Sequence, residues 1–162
     1  MCADALERQV NRRKDVMIYH YTKAFHLPSI LAHGLRQSEL FLTSGEKPIL
    51  WFSTNPAWEN TVLMWRGRTL TEAHLLMRDR GGLVRIVCDD SVAPHRWKEL
   101  KGLALIPHRI ATARYSTAIS VGSRPGEWRG TFDVVPVAKF VAIEFYDGEN
   151  WTSLNQMAMK AA

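Results

Sequence analysis

The chain has little cysteine and no long apolar run. Its 162 residues include only Cys2 and Cys88, too few for a disulfide framework or a cysteine-based metal site. No stretch approaches the ~18 consecutive apolar residues that span a bilayer, and the N-terminus has no secretory apolar segment. These absences predict a cytoplasmic protein, in a reducing compartment, with no membrane association.

Several common catalytic signatures are also missing. The chain has no P-loop, no Gly-x-Gly-x-x-Gly and no Gly-x-Ser-x-Gly. Among its six histidines, His20, His26 and His33 lie near one another in sequence, but no cysteine or carboxylate completes a ligand spacing. Cys88 falls in a predicted buried strand, which disfavours a Cys–His nucleophile. We therefore expect neither a metal nor a cysteine nucleophile.

Positive charge is plentiful by contrast. The net charge is +5 and the pI is near 9.5, and arginines outnumber lysines two to one. Arginine suits bidentate phosphate contacts, so this balance favours anionic partners such as nucleic acid or the phosphates of a nucleotide. A basic but merely solvated surface explains the same charge equally well.

The pattern of apolar and turn residues predicts one domain over 16–162, preceded by a polar arm or short helix over 1–15. Strands and helices mix without a regular βαβ alternation, which indicates an α+β domain. The predicted strands are 18–22, 48–54, 83–88 (half-buried), 127–135 and 140–146. The predicted helices are 22–35, 55–65, 71–80 and 96–101, while 110–119 fits either a helix or a strand.

Three segments carry polar residues at the ends of apolar strands. His20 lies between two tyrosines, Ser53 and Thr54 close the second strand, and Glu127 follows a Gly/Pro loop and opens the fourth. Taken singly, each has a structural explanation: a packed histidine, turn residues, and an acid at a strand start. Their order along the chain is the informative feature.

This order resembles the three-part signature of the ADP-ribosyltransferase superfamily. The likeness is greatest to its His-containing branch, and within it to the DarT-type enzymes that ADP-ribosylate DNA. The opening match is His-Tyr-Thr at 20–22 with Leu-x-x-Ile-Leu-x-x-Gly-Leu at 27–35. The closing match runs from Glu127 to the Val-Pro-Val at 135–137 and continues in the apolar strand Phe-Val-Ala-Ile at 140–143. The middle segment, Phe-Ser-Thr at 52–54, departs from the aromatic or Ser-x-Ser arrangement common in the family.

The resemblance implies a fold and a reaction. The fold would be two small packed antiparallel or mixed sheets with flanking helices around a NAD cleft. The enzyme would move ADP-ribose from NAD to a macromolecular acceptor and release nicotinamide. Cleaving the nicotinamide–ribose bond builds positive charge on the ribose, which a nearby carboxylate stabilises. By resemblance that catalytic carboxylate is Glu127.

Further roles follow from the same resemblance. A neutral His20 would hydrogen-bond an adenosine-side ribose hydroxyl, and the Tyr21 backbone would meet the nicotinamide amide. Either Tyr21 or Trp51 would stack on the nicotinamide. The remaining implied contacts are Thr22 as a further NAD contact, Ser53 and Thr54 bracing the pocket, and Ser123 and Arg124 in an acceptor-recognition loop.

Several alternatives stay open at this point. Arg36 and Arg66 are candidates for the pyrophosphate. Glu59 is a rival acid, better explained as a first-turn helix-dipole partner, and Glu144 is expected near a strand end in solvent. The acceptor is slightly more consistent with DNA or RNA than with protein. A toxin paired with an antitoxin or immunity partner, an RNA 2′-phosphotransferase-like enzyme and a non-catalytic nucleic-acid-binding module all remain candidates.

Overall fold

The computed structural model describes residues 16–62 and 68–154, so the predicted arm over 1–15 lies outside the described residues. The strands are β1 (Met17–Lys23), β2 (Leu50–Ser53), β3 (Leu83–Asp89), β4 (His95–Arg96), β5 (Trp128–Thr131), β6 (Phe140–Tyr146) and β7 (Trp151–Ser153). The α-helices are α1 (Leu27–His33), α2 (Leu70–Met77), α3 (Trp97–Leu103) and α4 (His108–Ser120). Short 3-10 helices are Ala24–His26, Arg78–Arg80, Asp90–Val92, Pro125–Glu127 and Val137–Lys139.

All seven described strands join one antiparallel sheet, in the order β4-β5-β2-β1-β3-β6-β7. The predicted α+β class and a single domain are confirmed for the described part of the chain. The second sheet that the family resemblance implies is not found there. Within 16–62 and 68–154, no helix has the length and apolar character needed to cross a bilayer.

Helices cover both faces of the sheet. On one face, Ile18 and Phe52 pack with α1 and with the bridge between Leu35 and Val135. On the other, α2 packs against the β1 and β3 side, and α3 with α4 packs against β2 and β5. Strand β3 lies under both layers, with six of its seven residues buried. The prediction of a half-buried strand there is therefore wrong.

The chain enters the first helix largely as predicted. Strand β1 leads into the 3-10 turn and then α1, with Pro28 in the first turn. Gly34 ends α1 with φ 76°, and a Cβ there would lie 2.6 Å from the Val135 carbonyl oxygen. Glycine is required both for the left-handed conformation and for this close backbone approach.

The largest error concerns the predicted helix over 55–65, whose described part forms turns instead. The carbonyl of Asn55 accepts a hydrogen bond from the Tyr21 hydroxyl at 2.5 Å. The carbonyl of Pro56 accepts one from Arg85 Nη1. Side chains of β1 and β3 thus engage the carbonyl oxygens that would begin a helix, and tertiary contacts override the capping signal.

Other elements differ in extent rather than in kind. The ambiguous segment 110–119 is helix α4, and the strand predicted over 127–135 is the shorter β5. The two short edge strands β4 and β7 were not predicted at all. Each has two or three residues, too few for an alternating pattern.

Candidate functional site

His20 is fixed on β1 by a hydrogen bond from its ring. Nδ1 donates to the Trp51 carbonyl on β2 at 2.8 Å, and the ring meets Phe52 edge-on with centroids 5.6 Å apart. Since Nδ1 must carry the proton for this bond, Nε2 of the neutral ring is an acceptor. Burial lowers the pKa of His20 below its ordinary value; the bond to Trp51 opposes this in part, and nearby His26 adds a smaller lowering. The side chain is a neutral hydrogen-bond acceptor at neutral pH.

The end of β2 is joined to the segment that carries Glu127. The Thr54 amide donates to the Glu127 carbonyl at 2.9 Å. Ser53 is 2% exposed, and its Oγ accepts from the Asn55 amide at 3.1 Å. Ser53 therefore shapes the turn that leaves β2, while Thr54 connects the middle segment to the late acid.

Glu127 ends a 3-10 turn directly before β5 and is half-buried. Arg129, two residues later, donates from Nη1 to the Gly126 carbonyl at 3.0 Å and to the Trp128 carbonyl at 2.8 Å. Burial lowers the pKa of Arg129, and the like charge of Arg96 adds to this. An arginine therefore braces the Glu127 turn. Sequence reasoning missed it, although two-residue spacing in a strand places both residues on one face.

Strand alternation sorts the other predicted residues by face. Tyr19 is paired with Ser53, so the same register sets His20 opposite Phe52. His20 and Phe52 share one face of the sheet, whereas Ser53 lies on the other. The three predicted segments lie on neighbouring strands, but Ser53 does not share a surface with His20.

Position 127 returns to the face of His20. The Thr54–Glu127 bond extends the β2–β5 ladder by one step beyond the Ser53–Trp128 pair. Position 20 on β1 lies opposite 52 on β2, which lies opposite 129 on β5. Two strand spacings of about 4.8 Å and a step of two residues along β5, at about 3.4 Å each, put positions 20 and 127 roughly 12 Å apart. Counted along this ladder, positions 20 and 127 fall on the same side of the sheet.

The predicted aromatic residues are mainly packing residues. Tyr21 is buried between Trp58 and Trp151, with ring centroids 5.1 and 5.5 Å away, and burial raises the pKa of its hydroxyl. Trp51 is half-buried and packs against Trp97 and Trp128. Thr22 is half-buried in the β1–β3 ladder. Strand alternation also puts both predicted stacking rings on the face opposite His20, so neither is placed to stack on a ligand held by His20.

The two residues predicted for the acceptor loop, Ser123 and Arg124, differ in exposure. Ser123 is buried and its hydroxyl donates to the Glu59 carboxylate, while Arg124 is exposed. Glu59 is 6% exposed and also accepts from the Thr61 hydroxyl at 2.7 Å. The explanation of Glu59 as a helix-dipole partner is therefore wrong, because the described segment around it is not helical.

Two other acid and thiol candidates have structural partners. Glu144 is mostly covered and pairs with Arg85 at 2.5 Å, so its expected place in solvent is wrong. Burial raises the pKa of the Cys88 thiol to about 12, so it is protonated at neutral pH. Arg36 is exposed, and Arg66 lies outside the described residues. Among the described residues, no group of three or more His, Cys, Asp or Glu could hold a metal ion.

Comparisons of the chain with family models, with curated proteins and with solved structures return no match. The functional conclusion therefore depends on the residues described above. A neutral imidazole acceptor at position 20 and a carboxylate at position 127, on the same side of the sheet by register, are the two groups that could bind hydroxyls of one extended ligand.

Proposed function

We propose that this protein is a NAD-dependent ADP-ribosyltransferase that acts on a macromolecular acceptor. The carrying observation is the arrangement of His20 and Glu127 on one face of the sheet, roughly 12 Å apart and two strands away from each other. A dinucleotide has two riboses joined by a pyrophosphate, so it can present one ribose to each of these residues.

His20 would contact the adenosine-side ribose. Its Nδ1 proton is committed to the Trp51 carbonyl, so Nε2 is left to accept a ribose hydroxyl proton. The lowered pKa keeps the ring neutral at physiological pH. A fixed neutral tautomer binds a hydroxyl without the cost of burying a charge.

Glu127 would carry the transfer. NAD supplies an N-glycosidic bond whose cleavage leaves positive charge on the ribose, and its bonding electrons depart with nicotinamide. The Glu127 carboxylate would stabilise that charge and accept a hydrogen bond from the 2′-hydroxyl. The acceptor atom then bonds to C1′, and its proton passes to the carboxylate. The bonds from Arg129 to the adjoining carbonyls would hold the turn while this happens.

A basic surface on the other face of the sheet favours contact with nucleic acid away from Glu127. Between α3 and α4, an open depression of about 230 Å³ is lined by Lys98, Lys101 and His108, with Gly102, Ile106 and Ala111. The first turn of α4 has no acidic residue and no side-chain cap at Pro107. Two lysines beside a helix N-terminus favour a phosphate group.

The test is Glu127→Gln, which removes the negative charge and keeps the side-chain shape. We expect NAD binding by calorimetry to stay within about threefold of wild type, while nicotinamide release falls by a factor of about 100 or more. Glu39→Gln is the control, because Glu39 is an exposed acid outside any helix or strand. Equal turnover in wild type and Glu127→Gln would refute the role of Glu127.

The basic charge also favours a second candidate, a nucleic-acid-binding module without catalysis. That protein would bind nucleic acid with a steep salt dependence and release no nicotinamide, whatever stands at positions 20 and 127. An RNA 2′-phosphotransferase-like enzyme would instead consume NAD only with a 2′-phosphorylated RNA. An antitoxin or immunity partner remains a prediction for either case.

A further inference from the structure

The segment 54–61, which we call the strap, bonds to the loop before β5 at three points. The Thr54 amide donates to the Glu127 carbonyl at 2.9 Å. The Ser123 hydroxyl donates to the Glu59 carboxylate. Asn60 Nδ2 donates to the Val121 carbonyl at 2.6 Å. The strap therefore contacts both the beginning and the end of the loop that delivers Glu127.

The other side of the strap is bonded to the sheet. The Tyr21 hydroxyl of β1 and Arg85 of β3 donate to its carbonyls at 55 and 56. Trp151 Nε1 of β7 donates to the Ala57 carbonyl at 3.0 Å. Three strands thus fix the strap. Because the strap is also hydrogen-bonded to the loop before β5, it connects the sheet to the turn that carries Glu127.

The Glu59 carboxylate is the centre of the strap's contact with the loop. It accepts from the Thr61 amide at 3.2 Å, from the Thr61 hydroxyl at 2.7 Å and from the Ser123 hydroxyl. A buried carboxylate is tolerated only when donors satisfy it, so these bonds favour one arrangement of the loop. Gly122, with φ 81°, lets the turn pass close to Asn60.

We infer that Glu59 and Ser123 are positioning residues, which hold the turn of Glu127 against β2 without touching substrate. This inference rests on the proposed function for its catalytic meaning. It moves Ser123 from the predicted acceptor-binding group to the interior, and leaves the exposed Arg124 as the one of the two that could reach an acceptor. The loop thus has a fixed inner side and an exposed outer side.

Hydrogen exchange measured amide by amide tests the inference without any activity. The reporters are the amides of Thr54, bonded to Glu127, and of Glu127, bonded to the Arg124 carbonyl at 2.8 Å. We expect Ser123→Ala to speed their exchange at least about tenfold, with β3 amides unchanged. The control is Ser120→Ala, which removes an exposed bond at the end of α4. Equal exchange in the two variants would overturn the inference.

Glu59→Gln and Glu59→Ala extend the test. Gln keeps an acceptor oxygen, so we expect reporter exchange within about threefold of wild type, whereas Ala should match or exceed the effect of Ser123→Ala. If nicotinamide release occurs, Ser123→Ala should lower kcat and leave KM for NAD unchanged, since the bond positions the acid rather than the ligand. If neither the wild-type protein nor any variant turns over NAD, the proposed function fails. The exchange results still decide whether the strap positions the turn of Glu127.

Discussion

Gly130→Ala is the sharpest test of how β5 is packed. Gly130 lies on β5, three residues after Glu127, and its backbone passes close to Leu100 of helix α3. An added Cβ would lie 2.7 Å from Ile49 Cγ2 and 2.8 and 3.0 Å from the two Leu100 methyl carbons. Carbon atoms pack best at about 3.5–4.0 Å, so all three contacts are overlaps of about half an ångström or more.

The expected cost follows from where those methyl groups are. Ile49 is 5% exposed and Leu100 fully buried, so neither side chain can move into solvent. Overpacking a filled core costs about 1–3 kcal/mol, and the gain from replacing a strand glycine offsets about 0.5–1 kcal/mol. We therefore expect a net loss of roughly 1–2 kcal/mol, and a fall in Tm of about 2–8 °C for a chain of this size.

The assay is thermal unfolding followed by circular dichroism, with Gly102→Ala as the matched control. A Cβ at Gly102 meets no atom within 4 Å and its φ is not positive. Since Gly102 lies in α3, alanine there should raise the free energy of unfolding by about 0.5–1 kcal/mol. If Gly130→Ala unfolds at or above the wild-type temperature, the packing of α3 on β5 described above is incorrect.

Two further predictions concern charge. Replacing Lys98 and Lys101 together by Ala should lower the slope of log K against log salt for DNA binding by up to about 2, with nicotinamide release from NAD unchanged. An unaltered slope would show that these lysines do not contact the nucleic acid. The pKa of His20 is lower in the folded protein than in the unfolded chain, so as pH falls through ~6.5 the unfolded chain takes up a proton at this histidine before the folded protein does. The free energy of unfolding should therefore fall by up to about 1.4 kcal/mol per pH unit until the pKa of the folded state is reached. His20→Asn should flatten that part of the urea-denaturation profile, and identical slopes in both proteins would contradict the assignment.

Local patterns predicted the elements whose signals are confined to a few neighbouring residues. The alternating strand around Tyr19 and the helix stop at Gly34 depend on side-chain spacing and on glycine geometry, both visible in sequence. The same signals failed at Asn55, because its carbonyl is engaged by a tyrosine 34 residues away. No local pattern contains that contact.

The candidate site shows the same division. The three segments were found from their order, and they lie on adjacent strands. Whether their side chains share a face depends on strand register, which the sequence does not state, and a one-residue step sets His20 and Ser53 on opposite faces. The buried position of Glu59 was hidden for a further reason: its partner Ser123 is 64 residues away.

The measurement closest to the central claim follows label from NAD. The protein would be incubated with NAD labelled in the adenine moiety, together with DNA, RNA or total cell protein, alongside Glu127→Gln. The account predicts release of nicotinamide and transfer of label to one acceptor class, with nucleic acid favoured, in the wild-type protein only. Intact NAD in every incubation with the wild-type protein, or equal labelling by Glu127→Gln, would contradict it.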